Sequence, residues 1–301
     1  MPHSKPKPAE IAAEAKRTFI PYIEQMMPHF PATSYVYADS SFLRLVHNSG
    51  HEKRLRIAVI DGDPIDVALD WYEANAKSNP SMPPPDGFKS NEQLRIPVVN
   101  MANEKRPGGD WESGLLAPEE SFCRRSNLFK ALTTTLDNQT PVPHHPIPQK
   151  GAIYSPHVVV YRSGPDQYEV WSEFKSLPVI SVAPVRRPKL DESGTRYSFD
   201  QERELMKEKV RTILRVAARH QHRDLCVGAF GAGSAFRNPV GEVAKMWKDI
   251  LFAEPEFNGV FANVVFAVEN ILGGSPRGDR TDYEVFKREF DPSNIFRSPY
   301  I

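Results

Sequence analysis

The sequence lacks the features that mark disulfide-bonded, secreted and membrane proteins. It has only two cysteines, Cys123 and Cys226, whose separation fits no metal motif, so both are predicted to be small buried residues. No stretch approaches the roughly 20 apolar residues that span a bilayer. The first residues, MPHSKPKPAEIAAEAKR, contain no apolar signal core. These absences predict an intracellular protein, cytoplasmic or nuclear, without membrane contact.

The sequence also lacks an excess of charge. Its 38 Lys and Arg residues balance 38 Asp and Glu residues. No direct nucleic-acid binding is therefore expected, and any contact with a polyanion must be local. The histidine pair His144-His145 has no carboxylate or cysteine at helical spacing beside it, which favours solvated loop histidines over metal ligands. No metal site is predicted.

The remaining pattern alternates strands with helices over a length that can bury a large core. The predicted strands are Arg56–Ile60, Ile96–Val99, Val158–Tyr161, Pro178–Val182, Leu225–Val227 and Val264–Val268, and the predicted helices are Ile65–Ala76, Phe199–Arg219 and Val240–Phe252. This alternation predicts an α/β fold, a mixed sheet sandwiched between helices. Residues 1–50 are predicted to be an N-terminal extension with an amphipathic helix, Glu10–Met27, that Pro21 kinks or breaks. Residues 51–301 are predicted to form the α/β domain.

The most informative stretch is Val98–Ser126, VVNMANEKRPGGDWESGLLAPEESFCRRS. The chain leaves the predicted strand through Asn100 and Asn103 and enters the turn Pro107-Gly108-Gly109. Glycine lets the backbone adopt φ > 0 and lets its N–H groups approach a ligand closely. The segment therefore predicts a site for a phosphorylated sugar.

Two adjacent carboxylates, Glu119 and Glu120, follow Pro118 at a predicted helix start. Acids in a first turn stabilise almost any helix, so a purely structural role is the alternative. A site is favoured because the same segment brings two asparagines and the glycine turn to the end of a strand, where open α/β sheets bind ligands. Adjacent helical residues point about 100° apart. The two carboxylates therefore cannot be the facing pair of an ordinary glycosidase, and their roles must differ.

A second glycine loop, GAFGAGSAFRNP at Gly228–Pro239, lies between a predicted strand and a predicted helix. Its backbone N–H groups are predicted to line a phosphate cradle, formed by Gly231, Ala232, Gly233, Ser234 and Ala235. The alternative is that these glycines serve only the packing of strand against helix.

These motifs resemble the microbial-type poly(ADP-ribose) glycohydrolases, a branch of the macrodomain fold. That family's signature has three glycines, a spacer of six to eight residues and then Gln-Glu-Glu. Further similarity lies in IYSPHVVVYR (Ile153–Arg162), LCVGAFGAGSAFRNP (Leu225–Pro239) and FANVVFAVEN (Phe261–Asn270). The resemblance implies a macrodomain-like fold, ADP-ribose or poly(ADP-ribose) as ligand, and ADP-ribosylated proteins as partners.

The resemblance also implies a place for adenine. Phe236 becomes the candidate stacking platform, with a core Phe beneath the loop as the alternative. Asp61 or Asp63 becomes a candidate contact to the adenine amine, with a plain turn aspartate as the alternative.

Two positions depart from the family signature. Asp110 stands in place of the third glycine, and Pro118 in place of Gln. A carboxylate near a diphosphate is unfavourable by about 1 kcal/mol at 4 Å in water, unless it points outward or toward a ribose hydroxyl. Pro118 removes a side-chain amide and a backbone donor.

The leading hypothesis is an ADP-ribose glycohydrolase that cleaves ribose–ribose or protein-linked bonds, with Glu120 as the general acid. An oxocarbenium-like transition state needs a proton on the departing oxygen, which a partly desolvated carboxyl can supply. Glu119 would hold ribose hydroxyls, and Asn103 would orient the distal ribose and the attacking water. The diphosphate would lie against Gly108, Gly109 and Gly231–Gly233. The scheme needs no cofactor.

Two alternatives stay open at this point. The same pocket can belong to a reader that binds ADP-ribose without turnover, because Asp110 and Pro118 alter the catalytic geometry. It can also belong to an enzyme for another nucleotide sugar, in which Asp110 contacts a group that ADP-ribose lacks.

Overall fold

The computed structural model describes residues 7–45, 54–78, 95–136, 143–164, 167–271 and 280–295. It has a mixed α/β fold, with seven described β-strands flanked by helices, as the alternation of apolar patterns predicts. The strands are β1 (Tyr35–Tyr37), β2 (Arg56–Ile60), β3 (Val98–Met101), β4 (Ala152–Arg162), β5 (Val170–Val182), β6 (Asp224–Val227) and β7 (Asn263–Ala267). The helices are α1 (Pro8–Glu14), α2 (Ile20–Met26), α3 (Pro64–Ser78), α4 (Pro118–Arg125), α5 (Leu128–Thr133), α6 (Asp200–Arg219), α7 (Gly233–Phe236), α8 (Val240–Ala253), α9 (Asp282–Glu289) and α10 (Pro292–Ile295).

The chain divides into two compact units. The first comprises Met1–Asp39 and Leu69–Ala183, and the second comprises Ser40–Ala68 and Pro184–Ile301. The boundary predicted between residues 50 and 51 lies outside the described residues and stays a prediction.

In the first unit the strand order is β1-β4-β5-β3. Strand β4 pairs antiparallel with β1 and with β5, whereas β3 runs parallel to β5. Ten of the eleven residues of β4 are buried, and the last seven of β5 are buried as well. A strand that is buried on both faces reads as a nearly continuous apolar run, which is why the cores of these strands were predictable.

The N-terminal segment differs from its prediction at Pro21. Helices α1 and α2 are joined by a π-helical turn, Ala15–Phe19, and Pro21 occupies the first turn of α2. A proline ring clashes with the carbonyl four residues earlier in a regular helix. The wider π turn precedes the proline, so the helical path continues to Met26. Phe19 stacks on Tyr161 of β4 with ring centroids 4.7 Å apart, and this contact packs the segment on the unit.

In the second unit the strand order is β6-β7-β2, and all pairs are parallel. An aromatic cluster fills its core, in which Trp247 of α8 meets Phe266 of β7 with centroids 5.5 Å apart. Phe230, Phe286 and Phe290 complete the cluster. Both cysteines are free and buried, as predicted.

The two aspartates after β2 have structural partners within the second unit. Asp63 accepts hydrogen bonds from the backbone N–H groups of Ile65 and Asp66 at the start of α3. Asp61 accepts one from the N–H of Asn270 at 2.8 Å. Turn and capping roles thus account for both carboxylates, and a contact with adenine stays a prediction.

The prediction that His144 and His145 are solvated is wrong. His144 is buried, with Nδ1 2.5 Å from the carbonyl of Leu132, and His145 is half-buried. Neither helical periodicity nor a carboxylate neighbour signals such a contact, because Leu132 lies on a different element. Among the described residues no group of three or more His, Cys, Asp or Glu side chains is placed to hold a metal ion. No helix in this part of the chain combines the length and apolar character that crossing a bilayer requires.

Candidate active site

The site in the first unit begins at the end of β3. Parallel pairing with β5 sets Asn100 opposite Ser181, and the Asn100 amide donates to the Ser181 hydroxyl at 3.1 Å. The same amide nitrogen donates to Oε1 of Glu119 at 3.2 Å. The strand end thus fixes one carboxylate of the following helix, α4, by a buried polar contact.

Glu119 is held on both oxygens. Besides the bond from Asn100, its Oε2 accepts the backbone N–H of Asn103 at 2.7 Å, and the residue is 2% exposed. Burial raises the pKa of Glu119 to about 8, and the neighbouring Glu120 adds to the rise, while the hydrogen bonds from Asn103 and Asn100 oppose it. Glu119 is therefore a fixed carboxyl that is largely protonated at neutral pH.

Glu120 lies against the glycine turn. Its Oε1 accepts the backbone N–H of Asp110 at 3.1 Å, and the residue is 6% exposed. A Cβ on Gly109 would overlap that same oxygen, and Gly109 has φ +57°. Both the close approach and the left-handed backbone require glycine at this position. The predicted turn therefore exists, and one of its functions is to admit the Glu120 carboxylate.

Asp110, which replaces the family's third glycine, points away from this carboxylate pair. Its side chain forms an ion pair with Arg106, with Oδ1 2.8 Å from Nη1 and Oδ2 3.0 Å from Nη2. The two side chains are 44% and 62% exposed. The Asp110 charge is thus matched by a cation at the surface, which corresponds to the outward orientation considered from the sequence.

Arg124 holds the spacer between the glycine turn and α4. Its guanidinium donates to the carbonyls of Trp111, Ser113 and Leu115 at 2.9, 2.9 and 2.7 Å. Arg124 is fully buried. Sequence reasoning missed this residue, although the Arg-Arg pair directly after the glutamates was a signal, because cations in a last helical turn are expected merely to complement the helix dipole.

An open groove of about 550 Å³ lies along the same segment. Its lining includes Arg106, Gly109, Asp110 and the aromatic rings of Trp111 and Phe129. Gly109 both lines the groove and lies against the Glu120 carboxylate, whereas the two glutamates are not themselves lining residues.

Asn103 is half-buried, and its Oδ1 accepts the backbone N–H groups of Lys105 and Arg106 at 2.9 and 3.1 Å. These bonds orient the side chain through its oxygen. The ring of His145 lies against the backbone of Asn103. Burial, with a smaller contribution from the charge of His144, lowers the pKa of His145 to about 4, so the ring is neutral at physiological pH.

The second glycine loop, Gly228–Pro239, belongs to the second unit. Asn238 braces it from within, because its buried amide donates to the carbonyls of Val185 and Gly231 at 2.7 and 2.8 Å. The Asn238 Oδ1 accepts the hydroxyl of Tyr197 at 2.8 Å. A Cβ on Gly231 would lie 2.5 Å from the Met206 Cε, which explains a glycine there by packing.

The exposed part of this loop is the short helix α7. The N–H of Ala232 is used within the loop, since it donates to the carbonyl of Ala229 at 2.9 Å. Gly233, Ser234 and Ala235 follow as the first residues of α7. Phe236 is half-buried, so it is not a core ring. The buried aromatic residue of the loop is Phe230, which packs on Trp247.

The predicted residues thus fall into two sets. In the first unit the structure brings together Asn103, Gly108, Gly109, Asp110, Glu119 and Glu120. In the second unit, Gly231, Ala232, Gly233, Ser234, Ala235 and Phe236 form one braced loop.

The fold and the segment that carries the two glutamates are similar to those of the microbial-type poly(ADP-ribose) glycohydrolases. Residues 23–163 match the model of the microbial-type PARG catalytic domain. This match contains Asn100, Asn103, the glycine turn and both glutamates. The resemblance stated from the sequence motifs is thereby confirmed.

Solved structures of bacterial poly(ADP-ribose) glycohydrolases share the fold. The enzyme from Thermomonospora curvata superimposes with a TM-score of 0.69 at 22% identity, covering 94% of this chain and 99% of that one. The Deinococcus radiodurans enzyme in complex with ADP-ribose gives a TM-score of 0.64 at 21% identity, covering 88% and 97%. A Thermomonospora curvata structure bound to the inhibitor ADP-HPD gives 0.66. These likenesses establish the macrodomain-like fold. No curated protein matches the sequence.

Proposed function

We propose that this chain is an ADP-ribose glycohydrolase that uses Glu120 as its general acid. The observation that carries the proposal is the placement of Glu120, whose carboxylate is held by the Asp110 N–H against Gly109 beside an open groove. The left-handed φ of Gly109 and its lack of a Cβ allow the Glu120 carboxylate to lie against this turn. The match to a glycohydrolase catalytic domain across this segment supports the same conclusion.

Geometry, rather than acidity alone, supports the roles proposed for the two carboxylates. Burial raises the pKa of Glu119, but Asn100 and the Asn103 N–H occupy one site on each of its oxygens. A general acid must first reach the atom that it protonates. Glu120 lies at the turn that lines the groove, so it is the carboxyl proposed to reach the leaving oxygen.

The proposed mechanism has three parts. Glu120 transfers its proton to the glycosidic oxygen as the bond to the anomeric carbon breaks, which leaves an oxocarbenium-like ribose. Glu119, through its remaining lone pairs or its proton, binds ribose hydroxyls. Asn103 donates from its amide to orient the distal ribose and the water that attacks the anomeric carbon, and the proton of this water returns to Glu120.

The orientation of Asp110 supports an enzyme over a reader. A reader would follow if Asp110 projected its charge into the carboxylate pair, but this side chain is paired with Arg106. The same pairing occupies the group that a different nucleotide sugar would need to contact. Polymer or protein-linked ADP-ribose is therefore the proposed substrate class, with ADP-ribosylated proteins as partners.

The test is incubation of the protein with poly(ADP-ribosyl)ated and mono-ADP-ribosylated proteins, followed by measurement of released ADP-ribose and of retained label. Release is expected. Retention without release would instead establish a reader. Both functions are excluded if the modified proteins release no ADP-ribose and millimolar free ADP-ribose does not raise the melting temperature. A ligand selective for the native state must stabilise it.

A further inference from the structure

A cluster of cations beside the second glycine loop is not used by the proposed reaction. Arg186, Arg187 and Arg237 are all exposed residues of the second unit. The backbone N–H of Arg187 donates to the carbonyl of Phe236 at 2.6 Å, and Arg237 follows Phe236 directly. The three arginines thus lie at adjoining backbone positions around the loop that contains Phe236.

The carboxylates of the surrounding elements are engaged with other donors. Asp191 accepts the hydroxyl of Ser193 and backbone N–H groups of its own turn. Glu202 accepts the N–H of Lys189, and Glu242 pairs with Arg203. Within the described ranges no ion pair joins any of the three arginines to a carboxylate. The cluster is therefore a local positive surface on a chain with no net charge.

The backbone at two of these positions is unusual for arginine. Arg187 has φ +52° and Arg237 has φ +59°, both in the left-handed region. Only glycine, asparagine and aspartate adopt this region readily, and other residues are strained there. The turns would form more easily with glycine, so nothing in the local backbone calls for arginine at these positions.

We infer that Arg186, Arg187 and Arg237 form a phosphate-binding surface that holds a further unit of poly(ADP-ribose), beyond the ADP-ribose bound for cleavage. This inference rests on the proposed function and assigns its substrate class to polymer rather than mono-ADP-ribose. Arginine suits the role because its planar fork forms paired hydrogen bonds to phosphate oxygens. A diphosphate in each repeat of the polymer supplies such oxygens, whereas a single ADP-ribose has only one diphosphate.

The test compares two triple variants, both built on Glu120→Gln so that the polymer is not consumed. The first is Arg186→Gln with Arg187→Asn and Arg237→Asn, in which asparagine tolerates the left-handed backbone. The control removes three exposed cations elsewhere in the same unit, through Arg219→Gln, Lys245→Gln and Arg280→Gln. Thermal melting confirms that both variants fold. Affinities for ADP-ribose and for a poly(ADP-ribose) oligomer of defined length are then measured over a range of salt concentrations.

The first variant is expected to bind the oligomer at least tenfold more weakly at low salt, with ADP-ribose affinity within twofold of its parent. Its slope of log affinity against log salt should become shallower by about 0.7 for each phosphate that the variant no longer neutralises. The control variant should retain both quantities. Equal oligomer affinity and equal slope in the two variants would overturn the inference while the proposed function stands.

Two other results would also be decisive. If single-stranded DNA with the same number of phosphates binds the parent as well as the oligomer does and loses the same affinity, the surface is a general anion site, which overturns the assignment to polymer. If the wild-type protein neither binds ADP-ribose nor releases it from polymer, the proposed function itself fails, and this inference fails with it.

Discussion

The two glycine loops share glycines with left-handed backbone conformations but surround different side chains. In the signature loop, defined as residues 98–126, Gly108 and Gly109 have φ +68° and +57°, and in the second loop Gly231 and Gly233 have φ +80° and +77°. The signature loop encloses two buried carboxylates, which hydrogen bonds from Asn100 and from two backbone N–H groups hold. The second loop is held by hydrogen bonds of two neutral side chains, Asn238 and Tyr197. Phe236 and the adjoining arginines lie outside this network.

Under the proposed function, this difference corresponds to a division between chemistry and recognition. Buried carboxylates that are held by hydrogen bonds are pre-organised for proton transfer, because their positions do not change when a ligand binds. A half-buried ring such as Phe236, next to exposed arginines, suits contact with a base and with phosphates. The following predictions test the division, from the largest expected effect to the smallest.

The Glu120→Gln variant should lose turnover while it retains affinity. Removing a general acid costs about 10²–10⁴ in rate, and the amide keeps the size of the side chain, so ADP-ribose binding should stay within a few fold. Release of ADP-ribose from labelled polymer and calorimetric binding are the measurements. Glu173→Gln, an exposed acid of the same unit that lies outside the groove, is the control and should be fully active. Equal rates for Glu120→Gln and wild type would contradict the proposed mechanism.

The Gly109→Ala variant should reduce turnover by about 10–100-fold, because its Cβ displaces the Glu120 carboxylate and its φ is unfavourable for alanine. Gly114→Ala in the same loop is the control, since a Cβ there meets nothing within 4 Å. Steady-state rates of both variants are compared after their melting temperatures have been checked. Wild-type activity in Gly109→Ala would show that the position of Glu120 relative to this turn is unimportant.

The raised pKa of Glu119 predicts a pH dependence of stability. Because the folded-state pKa, about 8, lies above the unfolded value near 4.5, its stabilising contribution is complete below pH 4.5 and is lost as pH rises toward 8. Between pH 5 and 8 the free energy of unfolding of the wild type should fall by about 3 to 4 kcal/mol relative to Glu119→Gln, which cannot titrate. Denaturant titrations at several pH values measure this difference, and parallel curves for the two proteins would refute it.

The Phe236→Ala variant should weaken ADP-ribose binding by about 1–3 kcal/mol, the range expected when an aromatic ring no longer stacks on a base. The effect of this substitution on turnover at saturating substrate should be small, because the ring belongs to the second glycine loop and not to the loop that carries the glutamates. Phe252→Ala removes another exposed ring of the same unit and is the control. Unchanged affinity in folded Phe236→Ala would move the adenine platform elsewhere.

The Asp110→Gly variant should raise polymer hydrolysis by at most a few fold, because Arg106 already offsets part of a charge interaction of about 1 kcal/mol. Asp110→Asn separates the two causes, since it removes the charge and keeps a side chain. A rise in both variants would assign the effect to charge, and a rise in Asp110→Gly alone would assign it to backbone freedom. A fall in both rates would instead show that the Arg106–Asp110 ion pair supports catalysis.

The sequence predicted the elements that have a continuous run or stripe of buried apolar residues, and it missed those that mix exposed and buried positions. Val158–Tyr161 lies within the longer β4, and Pro178–Val182 is the buried end of β5, whose first half alternates exposed and half-buried residues. The edge strand β1 has only three residues and no buried side chain, so its pattern is too short to identify a strand. Helices α6 and α8 were predictable because each buries one continuous apolar stripe.

The candidate site divides in the same way. The glutamates and glycines were predictable, because local spacing and a family signature identify them. Ser181, which supports Asn100, lies 81 residues away, and only the pairing of β3 with β5 brings the two together. Arg124 was missed for a related reason, since its partners are backbone carbonyls, which leave no trace in sequence.

The central claim is that Glu120 protonates the glycosidic oxygen. Its most direct test is a crystal structure of the Glu120→Gln variant bound to an oligomer of ADP-ribose, in which the distance from the side-chain amide at position 120 to the ribose–ribose oxygen is measured. The proposal predicts a hydrogen-bonding distance of about 2.6–3.2 Å, with Glu119 on ribose hydroxyls. A glycosidic oxygen that lies next to Glu119, or next to neither carboxylate, would contradict it.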